Sequence, residues 1–193
     1  MPPSRAVPAP GDATGPRRGR LAVIVGFLVA GVLAGLTWAW LADPIQYTVI
    51  RVGDQSGLSA GEAASTAQFG VLVTYTWIGA AFAALWGAFA TWRWGRDGGT
   101  AAIALTTVGA VLGAFVSWGV GVVAGPPEPV VGDRAAGATV QAQLGIDAYG
   151  VLFVWPVAAL IGLLLVCWVV LPRESGDDLV AADDTATGDA PDA

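Results

Sequence analysis

Trp92-Arg93-Trp94-Gly95-Arg96-Asp97-Gly98-Gly99 is the stretch on which the reading of this chain turns. It is short, basic and rimmed by tryptophan, and an uncharged apolar run lies on each side of it. Such a stretch suits a place where a chain leaves a bilayer and re-enters at once. The indole of tryptophan is apolar with a polar N–H and favours the headgroup level, and arginine is retained on the cytoplasmic side during insertion. Working outward, the flanking runs predict helices from about Gln68 to Trp92 and from about Thr100 to Val123.

Beyond each of these lies another apolar run. Leu21–Leu41 is twenty-one residues without a charge, and the last runs from about Tyr149 to Leu171. At ~1.5 Å rise per residue each is long enough to cross a hydrocarbon core of ~30 Å. The first reads as a retained helix rather than a cleaved signal. A cut after Ala42 would put bulky Trp40 three residues before the site, where cleavage wants a small side chain. The fold class expected is an all-α membrane protein of four transmembrane helices, with short β-strands in its two outer loops. Residues 1–20 form a basic, proline-rich tail, 21–172 the helical domain, and 173–193 an acidic tail; both tails read as disordered.

Composition narrows function. Of 193 residues 55% are hydrophobic and only 12% charged; there is no histidine, and Cys167 is the single cysteine. An imidazole base, a histidine metal site and an intrachain disulfide are thereby excluded. No basic face is available for nucleic acid. No catalytic constellation or cofactor motif is present, so neither an enzymatic activity nor a cofactor is expected. The carboxylates of the two long loops (Asp43, Asp54, Glu62, Glu128, Asp133 and Asp147) make the outer face acidic without the spacing of a calcium loop.

Arginine placement predicts orientation. Arg5, Arg17, Arg18, Arg20, Arg93, Arg96 and Arg173 lie in the tails and the joint, whereas only Arg51 and Arg134 lie in the long loops. That bias puts both termini in the cytoplasm and both loops outside the plasma membrane. In the first loop, Gln46–Val52 is β-branched and aromatic and runs into Gly53-Asp54, which predicts a strand and a turn. Ser59-Ala60-Gly61-Glu62 has capping-box spacing for a helical lead-in, and Pro156 predicts a mild kink in the fourth helix.

Shifted by eighty residues, the chain partly matches itself. Trp38 falls on Trp118, Phe69-Gly70-Val71-Leu72 on Tyr149-Gly150-Val151-Leu152, Tyr75 on Trp155 and Arg93 on Arg173. The matches fit either a tandem repeat of two helical hairpins or convergent chemistry at membrane boundaries. A repeat would set the outer loops side by side, with Gln46–Val52 pairing near Val130-Val131.

Two sets of site residues follow. Trp38, Trp40, Trp92, Arg93, Trp94 and Arg96 are candidate membrane-interface anchors, and the arginines of the joint could also hold anionic lipid headgroups. Gly109, Gly113, Ser117 and Gly121 recur at every fourth position of the third helix, and Gly31 and Gly35 on the first. Small residues on one face let helices approach closely, inside the bundle or between copies of the chain. With Thr37-Trp38-Ala39-Trp40 before Asp43-Pro44, and Trp92–Arg96 before a glycine-rich re-entry, the chain resembles a family of actinobacterial four-helix membrane proteins known only as a domain of unknown function. The resemblance implies four helices in the plasma membrane and transfers no activity. The role expected is a non-enzymatic membrane protein that engages an envelope partner or its own copies. The alternative is a small transporter or channel subunit acting as an oligomer.

Overall fold

The computed structural model describes residues 15–95 and 99–170, and four of its helices are long and apolar enough to cross a membrane. Helix α1 is Gly15–Leu41, α2 Ala63–Trp94, α3 Gly99–Ala124 and α4 Val154–Val170. Between α1 and α2 lie strands β1 (Gln46–Val52) and β2 (Gln55–Ala60); β3 (Thr139–Gln141) lies between α3 and α4. The expected boundary positions Arg96, Asp97 and Gly98, residues 1–14 of the first tail and the whole of the second tail lie outside the described residues.

Several boundaries differ from the sequence expectation. Residues 15–20 are helical rather than tail. Pro16 falls in the first turn of α1, where a residue without an N–H forfeits no helical hydrogen bond. Helix α2 starts at Ala63, well before Gln68, and its 32 residues exceed what a ~30 Å hydrocarbon core requires. The capping box does not form: Ser59 is in β2, and Glu62 occupies the cap position with no side-chain hydrogen bond to the helix. Ahead of α4, Tyr149–Phe153 is a 3-10 turn, so Pro156 sits in the first turn of the α-helix instead of kinking the helix near its outer end. A proline there costs nothing, and the tighter turn upstream takes up the chain.

The helices pair across the two halves of the chain. The closest packing is α1 against α3 and α2 against α4, whereas α2 and α3, joined by the short basic stretch, meet only slightly. Small residues decide this. A Cβ at Gly31 would stand 2.6 Å from the carbonyl oxygen of Gly113, and one at Gly35 would stand 2.5 Å from that of Ser117. These contacts ascend together, so α1 and α3 run parallel with their backbones touching. Likewise Gly87 lies on the Ala159 backbone and Gly162 on the Ala84 backbone. Between apolar helices in lipid, such close approach supplies the attraction that the hydrophobic effect does not.

Aromatic donors tie the pairs together. Trp38 Nε1 donates to the carbonyl of Val71 at 3.1 Å, Trp86 Nε1 to that of Val23 at 3.1 Å, and the Tyr75 hydroxyl to that of Ala114 at 3.0 Å. Each bond joins two helices through a carbonyl lone pair left over from the helix ladder.

The sheet closes one end of the bundle, in the order β2-β1-β3 with both pairings antiparallel. Strands β1 and β2 form a hairpin whose two-residue turn places Gly53 at φ 63°, a conformation that side chains with a Cβ resist. The partner of β1 from the second loop is Thr139–Gln141, with Thr48 opposite Thr139, and not the segment at Val130-Val131. Alternation explains the choice. Val140, Ala142, Leu144 and Ile146 are buried and the residues between them exposed, so this segment has an apolar face to lay on the helix ends. Leu144 packs on Gly125 at the end of α3.

Candidate functional site

Three regions carry chemistry beyond packing: the joint end, the middle of the bundle and the sheet end. At the joint end, Trp92 and Arg93 are exposed, and Trp94 is half-buried against Gly19 of α1. The guanidinium carbon of Arg93 lies 5.6 Å from the centre of the Trp94 ring, within cation–π range. Phe89 meets Trp94 edge-on, with centroids 6.0 Å apart. Trp40, near the opposite end of α1, is 85% exposed, which suits a side chain reaching headgroup level.

Trp38 is different from the other expected anchors. It is fully buried, donates to Val71 and meets Tyr75 edge-on at 5.1 Å. It is a core residue and not a surface anchor. Helical periodicity carries the reason: Trp38 is three residues beyond Gly35 and seven beyond Gly31, so it shares their face, whereas Trp40 does not. Gly121 of α3 leaves room for its ring.

The small residues of α3 line up along α1. A Cβ at Gly109 would stand 2.6 Å from Phe27 Cδ2, and one at Gly113 would stand 2.9 Å from the Phe27 carbonyl oxygen. Ser117 is buried beside Gly35, and Gly121 beneath Trp38. Gly31, Gly35, Gly109, Gly113, Ser117 and Gly121 therefore face the α1–α3 contact inside the bundle.

That contact adjoins a polar cluster in which the hydroxyl of Tyr75 (α2) is neighboured by Ser117 (α3) and Trp155 (α4). Trp155 spans from Gly79 to Gly113, and Ser117 Oγ and Trp155 Nε1 are buried without a hydrogen-bond partner of good geometry. The group is uncharged. It can donate and accept hydrogen bonds, and nothing in it can act as a nucleophile paired with a base. Among the described residues no three His, Cys, Asp or Glu side chains come together to hold a metal ion. Cys167 is a free, half-buried thiol on α4.

At the sheet end Gln68 Nε2 donates to Asp147 Oδ2, linking the start of α2 to the segment before α4. Arg51 on β1 donates to the carbonyl of Arg134 at 3.3 Å, so one of the two loop arginines ties the loops to each other. Val52 and Ile50 are exposed on β1, and Val130 on the second loop. Sequence reasoning missed the 139–146 segment that brings these groups together. Its signal was the strict alternation of Val140, Ala142, Leu144 and Ile146.

Comparison of the chain with known protein families, with curated proteins and with solved structures finds no match. The resemblance to the actinobacterial family accordingly rests on the boundary motifs quoted above.

Proposed function

We infer that this is a non-enzymatic protein of the plasma membrane whose sheet end engages another envelope component. The observation that supports it best is the ordered three-stranded sheet, built from both loops and seated on a bundle filled by Trp38, Tyr75, Phe27 and Trp155. A transporter or channel needs a polar path between its helices. Here the two closest helix pairs meet backbone to backbone instead. The sheet presents exposed Ile50 and Val52 beside polar edges, which is the composition of a contact patch.

The arginine bias supports an orientation with the sheet outside and both termini in the cytoplasm. A duplication belongs to the same reading: Tyr75 and Trp155, eighty residues apart, are both core residues of parallel partner helices. A photo-crosslinking side chain at Val52, compared with one at Trp77, which is exposed on α2 between the helix ends, tests the role in native membranes. A discrete protein adduct from Val52 alone is expected. Adducts that do not differ between the two positions would end this reading.

A further inference from the structure

Strand β2 leaves one side of the sheet open, and the bonds of β1 settle which of its groups face outward. The Val49 N–H donates to the Ala138 carbonyl at 2.9 Å, the Val49 carbonyl accepts from the Gly137 N–H at 2.8 Å, and the Ala142 N–H donates to the Ile45 carbonyl at 2.7 Å. Odd-numbered residues along β1 thus bond to the second loop. The even ones, Thr48, Ile50 and Val52, bond to their β2 partners Ser59, Gly57 and Gln55. Ser56, Leu58 and Ala60 are left with N–H and C=O directed away from the sheet, and among the described residues no hydrogen bond reaches them. Residues 1–14, 96–98 and 171–193 join the described chain at the other end of the helices. Proteins commonly blunt such an edge with charge, proline or a bulge. Gln55–Ala60 has no charge and no proline, and its register with β1 is unbroken.

The neighbourhood of the edge selects what can pair with it. Leu58 stands opposite buried Val49 but is itself only half-buried, so an apolar side chain on an added strand would complete its cover. Exposed Asp54 and Glu62 stand at the two ends of β2. A second copy of the chain fits badly. Antiparallel self-pairing through all three outward residues sets Leu58 on Leu58 and Ser56 on Ala60, which brings the Asp54 end of each strand to the Glu62 end of the other. Like charges facing across strands repel, whereas opposite charges there stabilise. We propose that the open edge of β2 takes a strand from a basic, extended segment of a partner protein, with an apolar residue against Leu58 and lysine or arginine near Asp54 and Glu62. Main-chain bonds supply the affinity and the flanking side chains the choice of partner. This edge names the partner for the contact role inferred above for the sheet end, and rests on that role.

The probe is a synthetic peptide of alternating threonine and valine with lysine at each end, long enough to run from Asp54 to Glu62. The same peptide ended by glutamate is the control. Binding to the full chain in detergent is read by fluorescence anisotropy, and amide exchange by NMR. The lysine peptide should bind about tenfold more tightly than the control and slow exchange at Ser56, Leu58 and Ala60. Ser56→Pro removes an outward N–H and no bond to β1, so the melting temperature should hold while binding weakens about tenfold. Asp54→Asn combined with Glu62→Gln leaves the backbone alone and should weaken binding about fivefold. Absence of binding, equal binding of the two peptides, or unprotected amides at the three outward residues would each overturn the edge. A disulfide-linked dimer formed by Leu58→Cys in a Cys167→Ala background would give the edge to a second copy and overturn the basic partner. A Val52 photo-adduct that persists in Ser56→Pro would overturn the edge and leave the sheet-end role standing. No such adduct in the parent, with the three amides still protected by the peptide, would overturn that role and not the edge.

Discussion

Glycine at position 113 is held on two sides, by the Phe27 carbonyl oxygen at 2.9 Å and by Trp155 Cζ3 at 3.0 Å from the place a Cβ would occupy. Neither neighbour yields cheaply, one being helix backbone and the other a buried indole. Gly113→Leu should therefore destabilise by about 1–3 kcal/mol through overpacking, seen as a lower melting temperature in detergent. An unchanged melting temperature would mean that α3 does not meet α1 at this point. Ser117→Ala should be nearly silent in the same assay, because its Oγ has no well-formed hydrogen bond to lose and such bonds between membrane helices average only ~0.6 kcal/mol. A marked loss in Ser117→Ala would show that the hydroxyl supports Tyr75. Trp38→Phe removes a donor to Val71 and part of the contact with Tyr75, and should destabilise by about 1–3 kcal/mol. For an indole at headgroup level the same change would leave the melting temperature in detergent untouched.

Among the elements, the strands of the two loops make the most specific claim. Thr48 and Thr139 stand directly opposite in the β1–β3 pairing and both are exposed. In a Cys167→Ala background, cysteines at Thr48 and Thr139 should form an internal disulfide on mild oxidation, visible as a mobility change that reductant reverses. Cysteines at Thr48 and Val131 should not. The opposite pattern would restore the pairing suggested by the eighty-residue shift. The periodicities in the chain account for this outcome. The β-branched run Gln46–Val52 is legible as a strand and forms one at those residues. Val130-Val131 offers two apolar residues in succession, whereas Val140, Ala142, Leu144 and Ile146 offer a whole face. Burial selects the segment that can cover the helix ends.

For the whole molecule, the paired loops place Gln55 and Thr139 at one end of the bundle. Cysteines introduced there, again without Cys167, should be labelled from outside intact cells by a membrane-impermeant reagent. One at Thr185 should be labelled only after permeabilisation if the tails lie inside, as the orientation proposed from the arginine bias requires. Labelling of Gln55 and Thr139 from opposite sides of the membrane would contradict both the orientation and the sheet. The arrangement of helices also bears on folding. Residues adjacent along the chain, α2 and α3, touch little, while the closest pairs span the two halves. The bundle is therefore completed only when both hairpins have inserted.

Helix number, helix identity and the spacing of small residues could be read without a structure. Each depends on local composition: uncharged runs long enough for a bilayer, and glycine, alanine or serine returning every fourth residue. Strand β1 and its glycine turn were legible for the same reason. Partnership was not. A small residue states that something approaches closely but not what approaches, and the α1–α3 and α2–α4 pairs appear only when all four helices compete for contact. Tryptophan shows the difference most clearly. The indole of Trp38 and that of Trp40 have the same affinity for a membrane boundary, yet one is buried and the other exposed. The two positions are about 200° apart around α1, and only the tertiary packing of α3 and α2 decides which side of that helix is inside.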